Sequence, residues 1–171
     1  MDSNPDAARD FWSWAIRVYA APGVAENCLS LQDEHGQCVP LLLWAAWAAS
    51  QGRRIEESAV IQGVELARQW SGEVISPLRA LRRRLKSPVS SGDEATRLPL
   101  REKIKSTELD AERALMAALE GITPIARSEN SLSKQMPTQF LLEAMLSVAT
   151  AWSPVVPAEA LAGLTERLTK A

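Results

Sequence analysis

The run Val39 to Ala49 (VPLLLWAAWAA) holds no charged or strongly polar side chain, and it constrains the fold more than any other stretch. At 11 residues it is too short to cross a bilayer, which takes about 20. Its leucines and alanines are strong helix formers. A helix without a polar face is stable in water only when other elements surround it. Trp44 and Trp47 stand one turn apart and cannot both share the face of Leu41 and Leu42 unless neighbours pack on every side. A bundle wrapped around a central helix over 39–50, closed by Gly52, is therefore expected.

The rest of the chain supports the same class. No stretch alternates apolar and polar residues long enough for a strand, whereas apolar spacings of three and four recur. A first helix is predicted from Pro5 to Ala20, capped by Asn4, with Phe11, Trp14, Ala15 and Val18 sharing a face and Pro22-Gly23 ending it. A second covers about 24–34 and stops at Gly36. The fourth, about 56–86, carries Val60, Val64, Ala67, Ser71, Val74, Leu78, Leu81 and Leu85 in strict 4-3 alternation. Pro77 interrupts it, which predicts a kink near Gly72–Pro77 or a break with Ser76 as a cap. The loop Lys86 to Glu94 leads into a fifth helix, about 98–119, with Leu100, Ile104, Thr107, Ala111, Ala114 and Ala118 inward. Helices four and five should form an antiparallel hairpin.

Two further helices, about 137–152 (Leu141, Met145, Val148, Trp152) and 157–170 (Leu161, Leu164, Leu168), follow a polar stretch. The expected architecture is an all-α, single-domain bundle of six or seven helices. Residues 1–120 form the core, 121–136 a linker, and 137–171 a helical pair packed on or near it. With 171 residues, burial of roughly two-thirds of the extended surface suffices for folding without disulfide or metal.

Several chemistries lack their residues. His35 is the only histidine, and its surroundings (QDEHG) read as a solvated helix end rather than a nucleophile elbow. Cys28, Cys38 and His35 are too few for an ordinary zinc site. No GxGxxG, P-loop or DDxxD motif occurs, so no cofactor or metal is expected. Nothing in the first ten residues resembles a secretory leader, which predicts a soluble, cytoplasmic protein with both thiols reduced.

Charge is uneven. Between Arg79 and Lys105 nine basic residues face three acidic ones, a local charge of +6, while the remainder carries −8. Arg79, Arg82, Arg83 and Lys86, spaced i, i+3, i+4, i+7, align on one helix face. Arg101, Lys105, Glu108 and Glu112 occupy one face of the partner helix, and the antiparallel pairing brings Glu108 within reach of Arg79 and Arg82. Asp33, in the polar corner before the central helix, serves either as a helix-end brace or as a buried carboxylate bonded to an arginine of helix four. No aromatic residue lies within the basic segment to stack on bases, which argues against nucleic acid.

The blocks FWSWAIRVYAAPGVAENCLSLQDEHGQCVPLLLWAAWAA, W…VISPLRALRRRLK and LREKIKSTELDAE resemble, in that order, an uncharacterised proteobacterial family of small helical proteins, a domain of unknown function. The resemblance covers about residues 10–120 and implies a bacterial cytoplasmic protein; it supplies no activity, cofactor or catalytic residue. In that family's pattern an Asp often stands where Cys38 is, and an Asn where Pro40 is, so the corner here departs from it.

Two functions are weighed. The first is a non-enzymatic interaction protein that binds an acidic protein partner or anionic group through the Arg79–Lys86 face. The alternative is an enzyme or carrier whose polar pocket between helices two, four and five, built from Asp33, Arg79, Arg82, Lys105, Glu108 and Glu112, takes a small anionic ligand. Burial of those charged groups around a cavity would favour the alternative, because unpaired buried charge is expensive.

Overall fold

A computed structural model describes residues 10–123 and 138–171. It contains α1 (Phe11–Tyr19), α2 (Val24–Asp33), α3 (Val39–Ser50), α4 (Glu57–Trp70), a π segment (Ser71–Ile75), α5 (Ser76–Arg84), α6 (Glu94–Gly121), α7 (Thr138–Trp152) and α8 (Ala158–Lys170). No strand occurs among the described residues. Because α4, the π segment and α5 form one continuous run, these make seven helical rods.

Helix α3 is central. Every residue from Val39 to Ala49 is buried, and α1, α2, α4, α6 and α7 all pack against it. Trp44 is fully enclosed; its indole Nε1 donates to Thr123 Oγ1 at 2.7 Å, so the one polar atom of the ring is satisfied. The ring also needs space on α4: a Cβ built on Gly63 would lie 2.8 Å from it. Trp47 stacks on Phe11 of α1, with ring centroids 5.3 Å apart. Leu141, Met145, Val148, Leu161, Leu164 and Leu168 of α7 and α8 join the same hydrophobic cluster.

Helix α1 begins at Phe11, not Pro5, because the Asp10 side chain accepts the Ser13 N–H at 2.8 Å and so caps the helix. The expected Asn4 cap and Pro5 lie outside the described residues, as does the linker beyond Thr123.

Pro77 does not break the fourth rod at a Ser76 cap; a π segment occupies the stretch where a kink or break was expected. A proline cannot donate, and its ring crowds the carbonyl four residues back. The backbone responds by widening before it: the Ser76 N–H donates to Ser71 O, five residues back, and Ser76 is helical rather than a cap. One extra residue per turn rotates everything that follows by about 100°. The strict 4-3 seam is therefore disturbed beyond Ala67, although Leu78 and Leu85 stay inward. Ile75, not Val74, is fully buried, and Leu81 is 48% exposed. The inward face of α5 becomes Leu78, Arg79, Arg82 and Leu85.

Helix α6 starts a turn earlier than predicted. Arg97, a buried cation, donates to Leu85 O (2.7 Å) and Lys86 O (3.2 Å) and pairs with Asp93 (3.1 Å), fastening the start of α6 to the end of α5. Asp93 also accepts the Val89 and Ser90 N–H groups of the loop. These long-range bonds set the hairpin register, and the inward face of α6 is Ile104, Glu108, Ala111, Leu115 and Leu119. Leu100, Thr107 and Ala114, expected inside, are exposed.

Candidate functional site

The rotation of α5 places charge inside the hairpin. Arg79 Nε donates to Glu108 Oε1 at 2.8 Å and its Nη2 to Glu112 Oε1 at 2.8 Å. Arg82 binds Glu108 through Nε and, at 3.3 Å, through Nη2. The Glu108 side chain is only 8% exposed, so one buried carboxylate bridges two guanidinium groups. Burial pushes Glu108 upward, but hydrogen bonds from Arg82 and Arg79 outweigh it and hold the carboxyl below its ordinary value. At Glu112 the balance reverses: burial is the largest influence, the Arg79 charge does not offset it, and the pKa is raised.

The other candidate residues lie elsewhere. Asp33 does bond an arginine of the fourth rod, Arg83, at 2.7 Å, but both side chains are about half exposed, so Asp33 is not the buried carboxylate expected. Lys86 is exposed, and its carbonyl rather than its ammonium is engaged, by Arg97. Lys105 is exposed and sits 3.7 Å from Glu102 on its own helix, apart from the Arg79–Glu108 network. Among the described residues no group of three or more His, Cys, Asp or Glu is arranged to hold a metal ion.

Arg79 and Glu112 also line a cleft of about 220 Å³ at the start of α3, together with Gln37, Cys38, Pro40 and Ser71. The corner that shapes it depends on Gly36, whose φ of +63° suits glycine and lets the Gln37 N–H return to Leu31 O (2.9 Å). Gln37 is thereby turned inward. It is 3% exposed, its Nε2 reaches Val155 O at 3.3 Å, and its Oε1 has no hydrogen-bond partner. A buried acceptor left unpaired costs about 1–3 kcal/mol, so its position needs a reason.

No side-chain oxygen caps α3; the Cys38 sulfur stands at its N-cap, with the Leu41 backbone N–H directed to it. The departure at Cys38 falls here. An Asp at that N-cap would accept a first-turn N–H strongly, whereas a thiol is a weak acceptor; burial pushes the Cys38 thiol up to about 11. Cys28 and Cys38 are both buried and unbridged. Trp152 forms the far wall. Its Nε1 donates to Gly36 O at 2.9 Å, its carbonyl accepts from Arg68 Nη2 at 2.7 Å, and the same guanidinium lies over its ring.

Gln37 and Trp152 were missed as site residues. The sequence marks Trp152 only as part of an apolar face, and nothing local signals that Gln37 turns inward. The π segment is a weak pointer in retrospect, since such bulges are frequent at functional sites.

No curated protein and no solved structure matches this chain. Residues 10–119, which include α1 to α5 and nearly all of α6, match the family described as "Protein of unknown function (DUF2390)". The cleft-lining Gln37, Arg79 and Glu112 fall within that span, while Trp152 lies beyond it. On that match over more than half its length, the chain belongs to this family.

Proposed function

We propose that this protein binds a small polar molecule in the cleft at the start of α3. The supporting observation is the convergence there of Arg79, Glu112 and Gln37, whose buried Oε1 is unpartnered. Gln37 comes from a part of the chain distant from the Arg79–Glu112 pair, and its Oε1 bonds neither member. A concave site on which a few polar groups converge suits a ligand better than a partner surface does. The network is charge-balanced, two arginines against two glutamates, which favours an uncharged head over the anionic ligand expected from sequence. The binding is non-catalytic. We place it in a bacterial cytoplasm, where two unbridged thiols are the ordinary state.

The alternative, an acidic partner docking on the basic face, has less support. Arg79, Arg82 and Arg83 each already hold a carboxylate. The test is a fragment screen by amide and side-chain NMR of the labelled protein, with small amides, ureas, alcohols and carboxylates. Hits should perturb the Gln37 side-chain amide and the Trp152 indole, and Gln37→Leu, which removes the first signal, should abolish the Trp152 shift. A screen in which no fragment moves either group, or in which binding maps to Arg83 and Lys86, would refute the proposal.

A further inference from the structure

The cleft is not isolated. A second groove, about 450 Å³ in volume, adjoins it and shares Gln32, Val39, Pro40 and Glu112 as lining residues. Its remaining walls are mainly apolar: Trp12, Ile16 and Tyr19 of α1, Leu43 of α3, and Leu109 and Met116 of α6. Ile16 and Leu109, which both line this groove, are each about half exposed. Glu112 sits at the junction, so a molecule lying in both spaces would pass it.

The two halves set different requirements. In the polar half, the Gln37 Oε1 needs a donor. Arg79 has engaged Nε and one hydrogen-bond direction of Nη2, leaving Nη1 to meet an acceptor. A hydroxyl or primary amide both donates and accepts; a carboxylate only accepts and would add negative charge to a balanced network. Beyond the shared rim the apolar half offers only the Trp12 indole N–H and the Tyr19 hydroxyl as side-chain polar groups, and it suits a mainly hydrocarbon body. Together the spaces fall within the ordinary range for a small-molecule site, about 300–1,000 Å³.

We infer that the ligand is an amphiphile with an uncharged hydrogen-bonding head in the Gln37–Arg79–Glu112 cleft and a hydrocarbon chain along the Ile16–Leu109 groove. This rests on the small-ligand proposal above and adds to it the chemical class of the ligand. The occupant is a single small molecule, because the two spaces adjoin across four shared lining residues.

The test is a titration of the full-length labelled protein with acetamide, butanamide, hexanamide and octanamide, and with octanoate as the charged comparison. Affinity should rise about two- to fourfold per added methylene, the partly exposed groove giving at most the full transfer value. Shifts should appear at the Gln37 side-chain amide for every member, and at Ile16, Leu109 and the Trp12 indole for the longer ones. Octanoate should bind at least tenfold more weakly than octanamide. Ile16→Glu and Leu109→Glu alter exposed positions, so folding is retained; they should remove the chain-length dependence yet leave the acetamide shifts. Cleft shifts without chain-length dependence would overturn this inference and leave the small-ligand proposal standing. Chain-length dependence with shifts in the groove but none at Gln37 would also overturn it, as would octanoate binding as tightly as octanamide. Absence of any cleft shift, from any member, would overturn both.

Discussion

Glu108→Ala is the most direct probe of the buried network. The carboxylate accepts from Arg79 at 2.8 Å and twice from Arg82, with its own side chain 8% exposed. After truncation Arg79 keeps Glu112, but Arg82 loses its partner among the described residues while remaining largely covered. Removing one member of a fully buried pair costs about 3–5 kcal/mol, whereas exposed pairs contribute about 0–1 kcal/mol. With both arginines roughly a fifth exposed, a loss of about 2–3 kcal/mol lies between those limits. For a urea slope of about 2 kcal/mol per molar, the midpoint should fall by about 1–1.5 M. A double-mutant cycle with Arg82→Met separates the pair from the packing of the stems, and a coupling of about 1–2 kcal/mol is expected. A loss below about 0.5 kcal/mol, or a coupling of zero, would mean that water screens the network as it does a surface pair, and the argument from burial would fail.

Gly63→Ala should destabilise, although alanine ordinarily improves a helix interior by about 1 kcal/mol. The new Cβ meets the fully buried Trp44 ring at 2.8 Å, and that ring is held by Thr123, so overpacking of about 1–3 kcal/mol should dominate. A thermal midpoint equal to or above the parent's would show that the ring shifts freely. Glu112→Gln should change the pH dependence of stability in a particular direction. The folded carboxyl titrates above its ordinary 4.5, so the native state holds the extra proton there, and stability declines as pH rises from that value through the raised one. The substitution should flatten this decline. The acid-side loss from Glu108, whose pKa is depressed, should remain as pH falls below 4.5. Urea midpoints across a pH series give both slopes, and an unchanged slope above 4.5 in Glu112→Gln would contradict the assignment.

Much of the fold was legible locally. The central helix was predicted from 39–50 and is Val39–Ser50, because an all-apolar run has one stable environment whatever its neighbours are. The bounds of α2, α7 and α8 were also close, since glycine, proline and 3.6-residue periodicity act within a few residues. The charge pairing between Arg79, Arg82 and Glu108 could be seen in spacing alone. That Leu81 turns outward while Ile75 and Arg82 turn inward could not: the extra residue of the π segment shifts the phase, and a periodic pattern cannot register an insertion of backbone without one of sequence.

Composition and periodicity determined that this chain forms helices around an alanine- and leucine-rich centre, because burying that run outweighs any arrangement that leaves it wet. Tertiary structure alone decided where the polar cleft lies. Gln37 turns inward through a left-handed Gly36, Trp152 arrives from a helix more than a hundred residues away, and Arg79 is rotated toward them by the turn before Pro77. Each of those placements depends on contacts between segments far apart in the chain, which local preference does not encode.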